Sequence, residues 1–221
     1  EIIIVDDDSP DGTAAVARDL ATRYPHVRCI RRVGRRGLSG ACVEGMMAAS
    51  APTVAVMDAD GQHDAHDIPR LLEVVQNGQS DVALGSRFLG RMEYRADPLR
   101  RFGVWVFRQV ASLTFGRRIT DPTSGFQAIN TDVLRFFAWD NYPSDYPDTD
   151  VLMSLHLAGF RVLEVPVTMR ERYSGVSMHT NWRAVYYVSK MFLSILVVLL
   201  RFWTRSSPRR AAGPAGEKAR G

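Results

Sequence analysis

Short apolar runs that end in acids, separated by segments of helical length, constrain this chain more than any other feature. Ile2, Ile3, Ile4 and Val5 form a continuous run stopped by Asp6, Asp7 and Asp8, which predicts a buried strand over Glu1–Val5. The pattern returns, again ahead of acids, at Thr53–Met57, and further strands are predicted at Val27–Arg31, Asp81–Leu84 and Arg161–Val167. Between them, Thr13 caps a helix running to about Tyr24, Ser39 caps a second through Ala49, and Ile68–Val75 forms a third. Leu99, Phe102, Val106, Val110 and Leu113 recur at helical spacing over Pro98–Phe115. Thr120–Asn130 reads as loop and short strand, and Thr149–Ala158 as helix. Strands alternating with helices define an α/β fold with an open, mostly parallel sheet. Such sheets bind ligands beyond the carboxyl ends of their strands, where Asp6–Asp8, Asp58–Asp60 and Gly85–Arg87 all fall. Glu1 stands inside an apolar run, which predicts that the chain starts partway through a domain.

Charge narrows the partners. Of 28 Lys and Arg and 24 Asp and Glu, six basic groups and one acid lie in residues 201–221, so residues 1–200 carry a net −1. A globally basic nucleic-acid binder is excluded. Cys29 and Cys42, the two cysteines, lack metal-ligand or CxxC spacing, and no secretory signal is evident, which fits a reducing, cytosolic compartment.

The segment Met57-Asp58-Ala59-Asp60-Gly61-Gln62 puts two carboxylates and an amide oxygen at a strand end. Oxygens of that kind suit a hard divalent cation that completes its shell with phosphate oxygens; two solvated acids in a turn are the alternative. The run from Asp6 through Asp8, followed by Asp11, Gly12 and Thr13, can accept hydrogen bonds from a base or ribose, or can serve as turn chemistry.

In order along the chain, VDDDSPDGT, RRGLSGACVEG, MDADGQHD, GSRF and TDPTSGFQAIN resemble the family-two glycosyltransferases, in their dolichyl-phosphate mannose synthase-like branch. The resemblance covers about residues 1–180 and implies a GT-A fold, a nucleotide-diphospho-sugar donor (GDP- or UDP-linked), a divalent cation (Mg2+ or Mn2+) and an inverting transfer, commonly to a polyprenyl phosphate. By matching motif, Asp6, Asp7 and Asp11 fall on the nucleoside side. Asp58, Asp60 and Gln62 fall around the metal and donor diphosphate, with Arg35 and Gly37 also near the donor. Arg87 and Ser124 fall where the branch holds an acceptor phosphate. Arg172, Gly175 and Ser177 resemble its closing loop, although Met178 and His179 follow where Lys is usual. The family's opening strand and its Pro-Ala-Tyr-Asn-Glu-like segment have no counterpart here.

A hydroxyl acceptor needs a carboxylate base, for which Asp150 is the candidate; Asp148 and Asp150 can instead cap the helix that follows. A phosphate acceptor, with a second pKa of about 6, is already nucleophilic at neutral pH and needs no base. Holding two phosphates together then calls for cations, and Arg87, Arg91, Arg95, Arg100 and Arg101 form a cluster in sequence, Arg118 being a weaker candidate.

Three regions result: a GT-A domain over 1–181, its first strand and helix missing; an amphipathic or membrane-associated helix over 182–205; and a disordered basic tail over 206–221. Trp182–Trp203 spans about 33 Å as a helix, but Lys190 near its centre costs about 3 kcal/mol on insertion, so lying in the interface is preferred to spanning. Arg183, Tyr187, Lys190, Ser194 and Arg201 form a polar stripe, and Leu193, Ile195, Leu196, Leu199 and Leu200 lie on the apolar remainder. Packing against the domain or a second copy is the alternative. The sequence thus points to sugar transfer onto a polyprenyl phosphate at the cytoplasmic membrane face, with a membrane-protein partner or homo-oligomer left open. The rival readings are transfer to a sugar hydroxyl in cell-wall polysaccharide and a non-catalytic nucleotide-sugar-binding module.

Overall fold

The first apolar run closes on the second: β1 (Ile2–Asp6) pairs in parallel with β2 (Val27–Arg31), Ile2 opposite Val27 and Asp6 opposite Arg31. A parallel pair needs a crossover, supplied by α1 (Thr13–Arg23). The computed structural model describes residues 1–35, 37–90, 98–138, 149–170, 193–198 and 200.

After α2 (Leu38–Ala48), four strands form a second sheet: β3 (Thr53–Val56), β4 (Val82–Ser86), β5 (Gln127–Asn130) and β6 (Val162–Pro166), ordered β3-β5-β4-β6. β4 and β6 pair in parallel, and β5 runs antiparallel to β3 and β4. Three strands thus share a direction that β5 alone opposes, in keeping with an α/β fold and a mostly parallel sheet. The helices α3 (Ile68–Gln76), α4 (Pro98–Phe115), α5 (Thr131–Phe136) and α6 (Thr149–Leu157) flank it.

Strand alternation sorts the core into two faces. Val82, Leu84, Ile129 and Val162 pack with Ala111 and Phe115 of α4 and Val151, Leu152 and Leu155 of α6. Ala83, Phe126, Ala128 and Val165 pack on the other face with Leu71 and Val75 of α3. All five residues of β4 are buried: Val82, Ala83 and Leu84 are apolar, and the hydroxyl of Ser86 is bonded to that of Thr120.

Two predicted caps work differently. Thr13 is the first residue of α1, and the capping acceptor is Asp11, whose Oδ1 takes the Thr13 N–H at 3.0 Å and the Thr13 hydroxyl at 2.7 Å. Ser39 lies inside α2, because Gly37, at φ 133°, makes the entry turn that residues with a Cβ rarely adopt. β4 runs on to Ser86, so Arg87 leaves directly from the strand tip.

Residues 193–198 are helical, and their inward side is seated on the domain. Ile195 is buried against Phe107 of α4 and Met153 of α6, with Val110 and Val198 beside them. Ser194 donates to Asp150 Oδ2. Leu193, Leu196, Val197 and Leu200 are each about half exposed or more. The sequence placed Ser194 on a polar stripe and Ile195 on the apolar remainder; both face the protein, and the outward arc is apolar. Among the described residues no helix is long and apolar enough to cross a membrane.

Candidate functional site

At the tip of β1, Asp6 is buried, and its Oδ2 accepts the Ser9 N–H at 3.0 Å, turning the chain out of the strand. Asp7 meets the glycine-rich loop: its Oδ2 accepts the Gly37 N–H at 2.7 Å and its Oδ1 takes an Arg32 Nη1 hydrogen bond. Asp8 pairs with Arg31. Asp11 is exposed and spends its Oδ1 on Thr13; those hydrogen bonds, the hydroxyl's first, hold its carboxyl below the ordinary range. Arg35 pairs with Glu44 of α2.

At the tip of β3, Asp60 Oδ1 accepts the Gln62 N–H at 3.0 Å, a tight turn that Gly61 completes at φ 77°. Gln62 is buried, and its carbonyl accepts the Arg170 N–H at 2.8 Å, tying the turn to the chain leaving β6. The Asp58 carboxylate faces Gly125, where an added Cβ would lie 3.7 Å from Asp58 Oδ2. His63 stacks on Phe126, ring centroids 4.8 Å apart, within the field of Asp58, Asp60, Arg87 and Asp121. Burial holds its imidazole below the ordinary value against the pull of the two β3 carboxylates.

At the tip of β4, Arg87 donates Nε and Nη2 to the two Asp121 oxygens, each at 2.6 Å, its own N–H to Asp121 Oδ2 at 3.0 Å, and Nη2 to Thr123 Oγ1 at 2.8 Å. Asp121 is wholly buried. Glu164 of β6 supports this loop, accepting from Thr120 N–H, Thr120 Oγ1 and Asp121 N–H at 2.8–2.9 Å. Ser86 and Thr120 hydroxyls bond at 2.6 Å. Arg108 caps the Thr120 carbonyl and lies over the Phe88 ring at 4.4 Å. Ser124 is buried in the same loop.

The structure therefore gathers Asp58, Asp60, Arg87 and the 121–126 loop, with His63 among them. Asp7 and Gly37 meet each other, directly and through Arg32. Asp150, in the first turn of α6, is buried and bonded to Ser194 and to the Val151 N–H at 2.9 Å, while Thr149 donates to the Pro122 carbonyl at 3.3 Å. Arg91, Arg95, Asp148, Arg172, Gly175, Ser177, Met178, His179 and the side chains of Arg100 and Arg101 lie outside the described residues. Sequence reading missed His63, although it stands in MDADGQHD, and missed Arg32, Asp121 and Glu164, whose partners are remote in sequence.

Asp58, Asp60 and the Gln62 amide are hard oxygen donors and fit a divalent cation as a partial shell. Among the described residues no three His, Cys, Asp or Glu side chains could hold a metal between them, so the remaining oxygens have to come from elsewhere. Two surface grooves lie apart from these carboxylates. One, about 360 Å3, is lined by Pro52, Val75 and Asn130 among others; the other, about 480 Å3, by Trp105, Arg108, Gln109, Ser112 and Arg118.

In an α/β domain of this kind the edge beyond the strand tips, where these acids stand, is the ligand-binding edge. The profile of Glycosyl transferase family 2 matches residues 1–137, and the chain belongs to that family. It is 40% identical over 185 residues to a dolichol-phosphate mannosyltransferase of Pyrococcus furiosus, 80% of this chain and 50% of that protein. It is 33% identical to an undecaprenyl-phosphate mannosyltransferase of Micrococcus luteus (80% and 74%) and 35% identical to a polyprenol monophosphomannose synthase of Mycolicibacterium smegmatis (80% and 69%). The chain thus spans about half the length of the Pyrococcus relative. Among solved structures, a mannosyltransferase from Pyrobaculum calidifontis in complex with GDP-Man and Mn2+ superposes with a TM-score of 0.61 at 19% identity, covering 91% of this chain and 55% of that one. Glucosyl-3-phosphoglycerate synthase from Mycobacterium tuberculosis, with Mn2+ and UDP, gives 0.59 at 17% identity (91% and 68%). At these identities the likeness establishes the GT-A fold.

Proposed function

We propose that this chain is the catalytic region of an inverting hexosyltransferase that moves a sugar, mannose first among candidates, from a GDP- or UDP-linked donor to a polyprenyl phosphate at a membrane surface. The observation that carries this reading is the approach of Asp58 to Gly125. It sets the acidic tip of β3 one side chain away from the loop that holds Ser124 and clamps Arg87. The names of the relatives support the acceptor class, and the fold neighbours with bound nucleotide-sugar and Mn2+ support the donor class.

A divalent cation, Mg2+ or Mn2+, held by Asp58, Asp60 and Gln62 with donor phosphate oxygens would supply positive charge to the departing nucleoside diphosphate. Asp6, Asp7 and Asp11 serve the nucleoside end, and Arg35 and Gly37 the diphosphate. Arg172 and Ser177 belong to the closing loop by sequence. Arg87, Ser124 and Arg100 receive the acceptor phosphate. An acceptor phosphate oxygen bonds to the anomeric carbon as the bond from that carbon to the donor diphosphate breaks, its electron pair leaving with the nucleoside diphosphate. The acceptor, with a second pKa of about 6, arrives deprotonated. Asp150 is then not required as a base, which suits a carboxylate bonded to Ser194 and to its own helix.

The membrane face is the cytoplasmic one, approached through the apolar arc of Leu193, Leu196, Val197 and Leu200 and the basic residues after it. The test is a radiolabelled transfer assay crossing GDP-mannose, GDP-glucose and UDP-glucose with polyprenyl phosphate, and each donor without acceptor. Label reaching the lipid from one donor supports the reading; nucleotide binding with no transfer from any donor overturns it in favour of a binding module.

A further inference from the structure

Arg32 is a buried arginine just past the end of β2, between the tip of β1 and the entry to α2. It is 5% exposed and stands among two carboxylates and a carbonyl. Nη1 donates to Asp7 Oδ1 and, at 3.1 Å, to the Gly37 carbonyl. Nε lies 3.1 Å from Glu44 Oε2, close enough for ionic attraction though without hydrogen-bond alignment. The Arg32 backbone N–H meets the Asp6 carbonyl at 2.8 Å. Glu44 in turn holds Arg35. Charges of alternating sign therefore run from Asp7 through Arg32 and Glu44 to Arg35. Gly40, in the first turn of α2, makes room for the fork: a Cβ there would stand 2.4 Å from Arg32 Nη2.

A buried guanidinium so placed joins two segments that the sequence keeps 30 residues apart, the acidic tip of β1 and the loop entering α2. An unpaired buried charge is costly, so the pairing fixes both segments in one arrangement. We infer that Arg32 is a positioning residue for the donor nucleotide: it fixes Asp7 and the Gly37 amide as one preformed edge and thereby sets donor affinity without touching the reacting atoms. The inference rests on the donor-site reading above.

The test is calorimetric binding of GDP and of UDP in the presence of MnCl2, with transfer kinetics and hydrogen exchange at the Gly37 amide, on the whole chain. Arg32→Gln should raise the nucleotide Kd and the donor KM about tenfold or more, leave kcat within about threefold, and speed exchange at Gly37. Arg32→Lys should recover part of the affinity. Gly40→Ala guards against misfolding, since alanine favours the helix while its methyl displaces the far end of Arg32. It should weaken nucleotide binding while lowering the melting temperature less than Arg32→Gln does. Wild-type-like Kd in a folded Arg32→Gln or Gly40→Ala protein overturns the inference alone, as does a fall in kcat with unchanged KM. Failure of the wild-type chain to bind either nucleotide with Mn2+ overturns the donor-site reading and the inference with it.

Discussion

Asp121 grips Arg87 through both carboxylate oxygens at 2.6 Å, and no part of Asp121 reaches solvent. The cation read from the sequence as an acceptor-phosphate ligand is therefore already neutralised and held rigid. Removing one member of a buried pair strands the other, at a cost of about 3–5 kcal/mol. Asp121→Asn should lower the unfolding free energy by about that amount in denaturant melts and raise the KM for polyprenyl phosphate more than that for the donor. Arg87→Lys, lacking the fork, should show the same KM pattern.

Asp58→Ala and Asp60→Ala should each reduce transfer by about a hundredfold or more with Mn2+ in excess, through lost stabilisation of the leaving group. Their melting temperatures should stay near wild type, since neither side chain belongs to the apolar core. Full activity in both would remove the proposed metal centre.

Asp150→Asn separates the acceptor classes. With a phosphate acceptor the rate should fall by no more than about threefold, because a dianion needs no base. A collapse of about a hundredfold or more would favour a hydroxyl acceptor.

Acid sensitivity should show a contribution from Asp81. Burial, the largest influence, pushes its carboxyl up, but the Arg161 hydrogen bonds together pull it below the ordinary value of 3.8. A depressed folded-state pKa gives stability that is present above the unfolded value and lost as pH falls through the folded one. Wild type and Asp81→Asn should therefore differ in chemical denaturation above about pH 4 and converge below it. A gap between them that persists undiminished to pH 2 would contradict this.

Leu196→Asp together with Leu200→Asp should abolish flotation with vesicles containing anionic lipid while leaving the fold intact, since both side chains are about half exposed and neither belongs to the Phe107, Met153 and Ile195 cluster. Ile195→Asp, on the inward side, should instead destabilise the domain. Unchanged flotation of the double variant would exclude this arc as the membrane contact.

The sequence was legible where the physics is local. The elements Val27–Arg31 and Pro98–Phe115 are observed where they were read, although α4 buries Phe107, Ala111 and Phe115 and leaves Leu113, on the face read as apolar, in solvent. The helix Thr131–Phe136 escaped, being too short for a period; its cue is Asn130, which accepts the Val133 N–H at 3.0 Å. The insertion of β5 against the grain between β3 and β4 is a long-range pairing with no local signature. At the site, the carboxylates of DxD and the arginine of GSRF stood out by type, but not the groups that hold Arg87 and its loop in place. Asp121 is 34 residues from Arg87, and Glu164 hides in the apolar run of β6, looking like a solvent-facing strand residue.

Glu164 gives that strand a second office. One stretch of chain carries the carboxylate that pins Thr120 and Asp121, and then, a few residues on, the Met169 bridge to His63 and the Arg170 N–H that donates to the Gln62 carbonyl. β6 and its extension thus act as a ruler laid between the Thr120–Asp121 loop and the Gln62–His63 turn. Its length sets the spacing between the loop that clamps Arg87 and the turn that carries Asp60 and Gln62, and a single-residue insertion between Glu164 and Met169 would slide one against the other.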